Sequence, residues 1–104
     1  MATHTLEPDR ATLHGHFSRD LAPILTIDPG DTLIARTLDA GWSIGPRPAP
    51  GLERPAFVER DRERDWGHAL LGPIAVTGAE PGMGLVIDID EIRVGTWGWT
   101  VAGG

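Results

Sequence analysis

The 104-residue chain contains no cysteine and no lysine. Without cysteine, a disulfide framework, a thiolate nucleophile and thiolate-ligated zinc are excluded within these residues. Without lysine, every basic residue is an arginine, and the nine arginines are scattered rather than gathered into a stripe. The net charge is −6. The chain therefore lacks the basic face with which nucleic-acid binders displace counterions from phosphate, and anionic membrane surfaces are disfavoured for the same reason. Apolar runs are only a few residues long, far short of a membrane span. Residues 1–10 show no basic segment followed by an apolar run, the pattern of a secretory signal, and a cytoplasmic location is the resulting expectation. Serine is limited to Ser18 and Ser43, neither of them in a nucleophile elbow. A glycine-rich phosphate loop is absent as well.

What the chain has in quantity is glycine and proline, 14 and 9 residues, which points to many turns and few long helices. Its hydrophobic fraction of 40% and charged fraction of 23% suit a folded globular chain of one domain at most. Residues 1–10 read as a tail or a loosely attached first strand. From Ala11 to Phe17 apolar and polar residues alternate, the period-two signal of a strand. Residues 24–27 and 32–38 read as two further strands joined by Asp28-Pro29-Gly30-Asp31, a type II turn signature. Residues 45–66 are irregular, because closely spaced prolines remove ladder donors and block helix interiors. The charge run from Glu59 to Asp65 lacks an apolar face. Residues 71–77 begin a further strand region, and Pro81-Gly82 repeats the earlier turn. Residues 85–92 then alternate most clearly of all, with Leu85, Ile87 and Ile89 on one face and Val86, Asp88 and Asp90 on the other. The expectation is an all-β chain of short antiparallel strands in a sandwich or partial barrel. Residues 11–104 are expected to form one β segment, as part of a larger domain.

Four stretches in order resemble the acetamidase/formamidase family. They are His16 to Thr32, with its apolar pair before Asp28-Pro29-Gly30-Asp31-Thr32; Arg36-Thr37-Leu38-Asp39-Ala40; Gly72-Pro73 through Gly78-Ala79-Glu80-Pro81-Gly82; and Trp97-Gly98-Trp99 through Gly104. The resemblance runs from about residue 14 to the last residue. Met83 stands where the family usually has Asp, and Arg36 where it has Glu. The resemblance implies the N-terminal part of an enzyme that hydrolyses small linear amides such as formamide or acetamide and releases ammonia. It implies also that later segments of the enzyme hold much of the active site.

Candidate site residues follow from these two readings together. His14 and His16 lie two apart, so a strand places both on one face. Such a pair can hold a divalent metal, zinc first, and hydrolysis of an unactivated amide calls for a Lewis acid or an activated water. His16, which opens the matching stretch, is the metal-ligand candidate. His68 stands on a loop before the Gly72-Pro73 strand and is a candidate acid or base. Asp39 ends a strand, where scaffolds present carboxylates, and is the second catalytic candidate; the competing reading is an Asx-turn residue. Asp31 and Glu80 read as turn stabilisers. Asp88 and Asp90 read as a solvated strand face or a subunit contact, and Trp42, Trp97 and Trp99 as packing or contact residues. The partners expected are a small amide and either further copies of the chain or a companion chain carrying the rest of the enzyme; a non-catalytic, self-associating β domain is the alternative.

Overall fold

In the computed structural model, which describes residues 1–102, six short strands and no helix are present among the described residues. They are β1 (Thr3–Leu6), β2 (Leu13–His14), β3 (Leu25–Ile27), β4 (Thr32–Ala35), β5 (Leu70–Leu71) and β6 (Ile74–Val76). The chain is all-β. The strands form three two-stranded sheets: β1 with β4, β2 with β5, and β3 with β6.

The pairing is not the expected antiparallel one throughout. Only β2–β5 is antiparallel, with Leu13 opposite Leu71; β1–β4 and β3–β6 are parallel. The turn explains why β3 and β4 do not close a hairpin. Asp31 N–H donates to the Asp28 carbonyl at 3.0 Å, and Gly30 sits at φ 88°, the third position of a type II turn. Such a turn splays its flanking strands instead of matching their right-handed twist, which two-residue hairpins achieve with the mirror-image types. Asp31 then recruits a different neighbour. Its carboxylate accepts from Ala2 N–H, His4 Nε2–H and Asp28 N–H, each at 2.9 Å, and so draws β1 alongside β4. These hydrogen bonds, that of Ala2 first and then those of His4 and Asp28, hold the Asp31 carboxyl well below the usual carboxylate range; burial works weakly against them.

Two further expectations are shortened by the structure. Of residues 11–17 only Leu13 and His14 pair, because Gly15 turns against the backbone of Asp65. Residues 85–92 are not a strand: a strand needs a ladder, and among the described residues no backbone hydrogen bond involves them. The long segment 45–66 is irregular as expected, with one isolated bridge between Ser43 and Ala56.

Hydrophobic burial is thin. Leu13 and Trp42 are the buried apolar side chains. The accessible surface is 8254 Å², against about 5,700 Å² for a compact monomer of this mass. The radius of gyration is 16.0 Å, against about 13 Å for a compact domain of this length.

The most buried charge is Asp65, at 0% exposure. Arg10 Nη1–H donates to Asp65 Oδ2 at 2.7 Å and to the Glu59 carbonyl at 2.8 Å, and Arg10 Nη2–H donates to the Leu13 carbonyl at 2.8 Å. Asp61 N–H and Arg64 Nε–H complete the carboxylate's donors. Arg60 Nε–H donates to the Asp65 carbonyl at 2.8 Å. Burial pushes the Asp65 carboxyl upward, but the hydrogen bonds from Arg10 and Asp61 and the nearby arginine charges outweigh it and hold the group below its ordinary value.

Removing Arg10 leaves the buried Asp65 carboxylate without its main charge partner, and removing the Asp65 charge takes the shared acceptor from Arg10, Asp61 N–H and Arg64. Asp65→Asn is expected to cost about 3 kcal/mol in urea unfolding, and the Arg10→Met, Asp65→Leu double variant to cost clearly less than the two single changes added. The acid limb has a defined sign. Asp31 and Asp65 have lowered folded-state pKa values, so their stabilisation is complete above the unfolded-chain value of about 3.9 and is lost as pH falls below it through the folded values. Unfolding followed from pH 6 to pH 2 is expected to show stability falling below about pH 4, with a shallower fall in Asp31→Asn.

Candidate functional site

Two glycines followed by histidines, Gly15-His16 and Gly67-His68, are brought side by side. Gly67 N–H donates to the Gly15 carbonyl at 2.7 Å. Neither glycine tolerates a side chain: a Cβ on Gly15 would lie 2.4 Å from Asp65 Cα, and one on Gly67 would lie 2.6 Å from the Gly15 oxygen. The close approach is thus written into the absence of a Cβ at both positions. Beside it, β2 and β5 pair at Leu13–His14 and Leu70–Leu71, fixing the two segments at a second point.

The result is a small cavity of about 120 Å³ between the two segments, with His16, Phe17, Trp66, His68 and Leu70 around it and the two glycines at its floor. Its size is well below the roughly 300–1,000 Å³ of drug-sized pockets, so it suits a molecule of a few heavy atoms. His16 is fixed from behind: its Nδ1–H donates to the Arg64 carbonyl at 2.8 Å, and its ring stacks on Trp66 with centroids 6.4 Å apart and planes at 23°. A backbone acceptor on Nδ1 selects the tautomer whose Nε2 carries a free lone pair. That nitrogen can take a proton or a metal ion. His68 is exposed at the cavity edge.

Two of the three site residues expected from sequence, His16 and His68, therefore share one cavity. The third, Asp39, does not line it. Asp39 Oδ2 accepts from Gly41 N–H at 3.0 Å and Ser43 N–H at 3.3 Å, and Oδ1 accepts from Trp99 Nε1–H at 2.9 Å. Its link to the cavity runs through the loop it shapes. Ala69 N–H donates to the Ala40 carbonyl at 3.0 Å, and Trp42 Nε1–H donates to the Gly67 carbonyl at 2.8 Å, so the loop braces the chain on both sides of His68. Trp42, 1% exposed, is held at φ 65°, a left-handed backbone that costs a bulky residue about 1–2 kcal/mol. The price is met by its indole hydrogen bond and by packing against Phe57, with ring centroids 6.1 Å apart.

His14 faces away from the metal reading. It is buried, and its Nδ1 lies 3.1 Å from the Gly72 carbonyl. Among the described residues no three His, Asp or Glu side chains are grouped so that they could hold a metal ion; His16 could serve as one ligand, and a metal held there would draw its other ligands from elsewhere. Trp66, Gly15, Gly67 and Asp65 were not singled out by sequence. The repeated Gly-His pair was the available signal for the glycines. Asp65 carried none, because it ends a run of alternating charges that reads as solvated.

Among proteins of known function, a formamidase from Methylophilus methylotrophus is 36% identical over 85 residues, covering 82% of this chain. The chain spans about a fifth of that formamidase's length, 19%. No family model matches the chain, and no solved structure matches it.

Proposed function

We propose that this chain is a segment of an amide hydrolase of the acetamidase/formamidase family, acting on small linear amides and releasing ammonia. The observation that carries the reading is the convergence of His16 and His68 on one small cavity, in a chain of which 85 residues are similar to a formamidase. The expanded surface and thin core support a segment that packs against more protein.

In this reading the cavity takes the one- or two-carbon amide, with Trp66 and Phe17 covering its apolar side. His16, with its Nδ1 committed to the Arg64 carbonyl, presents Nε2 to accept the proton of the attacking water or to ligate a metal. His68 donates a proton to the departing nitrogen, so that water adds to the carbonyl carbon, the C–N bond breaks and ammonia leaves with a carboxylate as the other product. A divalent metal, zinc first, would polarise the carbonyl and acidify a bound water. Asp39 serves by holding the 39–43 loop against Gly67 and Ala69. The remaining groups come from the four-fifths of a formamidase-length chain not represented here.

The test is a chimera in which this chain replaces the corresponding part of the Methylophilus formamidase. It is expected to release ammonia from formamide, and His16→Ala or His68→Ala in it to lower kcat/KM by about 10²-fold or more. Asp39→Ala is expected to lower it less, through loop positioning. A folded, active chimera indifferent to both histidine substitutions contradicts the assignment.

A further inference from the structure

The longest stretch of apolar sequence without a partner lies beyond the second Pro-Gly turn. Leu85, Val86, Ile87, Ile89, Ile92 and Val94 are 67–88% exposed, and among the described residues no backbone hydrogen bond involves residues 84–94. The stretch is nevertheless held at both ends. At its start Met83 N–H donates to the Glu80 carbonyl at 3.1 Å, with Gly82 at φ 92°, the same type II geometry as at Asp28–Asp31. Beyond its far end Trp99 returns to the body, where its indole donates to Asp39 Oδ1 and the Arg54 guanidinium lies 3.8 Å from its ring centroid.

The first half of the chain shows what such a stretch does when a partner is available. There the segment after the turn is β4, which pairs in parallel with β1. The strands before the two turns, β3 and β6, pair with each other, so residues 84 onward occupy the place after the second turn that β4 occupies after the first. The β4 segment is a strand because β1 lies beside it; the later one has no neighbour of that kind among the described residues.

Resting on the amidase reading above, we infer that residues 85–94 are a docking strand: they join a sheet by pairing with a strand from the remainder of the amidase that carries basic side chains opposite Asp88 and Asp90. Charge argues against a second copy of this chain as the occupant. Antiparallel self-pairing centred on Ile89 sets each Asp88 against the other copy's Asp90; centred on Asp90 or Glu91 it sets that acid against itself; parallel in-register pairing stacks every acid, and Arg93, on itself. A register centred on Ile92 does set Glu91 against Arg93, but it carries Leu85 to Ile89 past the end of the alternating stretch. Like charges directly opposite destabilise a sheet, and the whole chain is already at net charge −6. An exposed, regularly alternating edge fixed at both ends is the form in which strand addition takes a partner.

Hydrogen exchange with mass-spectrometric readout, alongside sedimentation velocity, tests this on the 104-residue chain and on the chimera with the Methylophilus formamidase. The free chain is expected to be monomeric, with amides 85–94 exchanging as in an unstructured peptide. In the chimera those amides are expected to be protected at least 100-fold, and Asp88→Lys with Asp90→Lys to lose at least tenfold of that protection. A free chain that dimerises with 85–94 protected overturns the inference in favour of self-pairing. An active chimera with 85–94 unprotected overturns it while leaving the amidase reading intact. A folded chimera with 85–94 protected and no ammonia release sustains the strand and overturns the amidase reading. Protection unchanged by the lysine substitutions overturns the basic chemistry assigned to the partner.

Discussion

A carboxylate with no access to water has to be surrounded by donors, and at Asp65 that requirement organises the middle of the molecule. Arg10 reaches it from the N-terminal segment and also holds the carbonyls of Leu13 and Glu59. The charge run 59–65 folds around it through the Asp61 and Arg60 hydrogen bonds. Gly15 can pass only because it has no Cβ to meet Asp65. Once Gly15 and Gly67 are in contact, the two histidines that follow them stand at one cavity. In a chain with so little apolar burial, a polar hub of this kind does the positioning that a hydrophobic core does elsewhere. A buried ion pair adds little net stability over an apolar substitute, but it is intolerant of losing one partner.

The second brace is the 39–43 loop. Asp39 gathers three donors, Trp42 accepts an unfavourable left-handed backbone, and the loop's carbonyl and indole grip the segment around His68. Hub and brace reach the 66–69 segment at different points, and they meet where the Arg60 guanidinium lies 5.1 Å from the Trp42 ring centroid. One fixes its start through Asp65; the other fixes Gly67 and Ala69.

Much of this was legible in the sequence where local chemistry decides. The all-β class, the two type II turns and the irregular 45–66 segment follow from proline and glycine positions, and β3, β4 and β6 fall within the stretches expected as strands. Pairing was not legible. A Pro-Gly turn between two strands suggests a hairpin, yet the type II geometry it encodes opposes one, and the partner of β4 turned out to be β1, recruited by Asp31. Residues 85–92 have the strongest alternation in the chain and no strand, because alternation states which face is apolar and not whether a neighbour exists. His16 and His68 were singled out by residue type, but their convergence depends on Asp65, which ends a run of charged residues. Asp39 was picked as a strand-end carboxylate, and its donors show the turn-forming role that competed with that reading.

The central claim is that the ion pair between buried Asp65 and half-buried Arg10 sets the two histidine segments against each other. Nuclear Overhauser contacts between the ring protons of His16 and Trp66, measured in the 104-residue chain and in Asp65→Asn, test it most directly. The account predicts the contact in the unsubstituted chain and its loss in Asp65→Asn, with the β1–β4 contacts, which do not depend on Asp65, still present. A His16–Trp66 contact that is missing from the unsubstituted chain, or that survives the substitution unchanged, would contradict it.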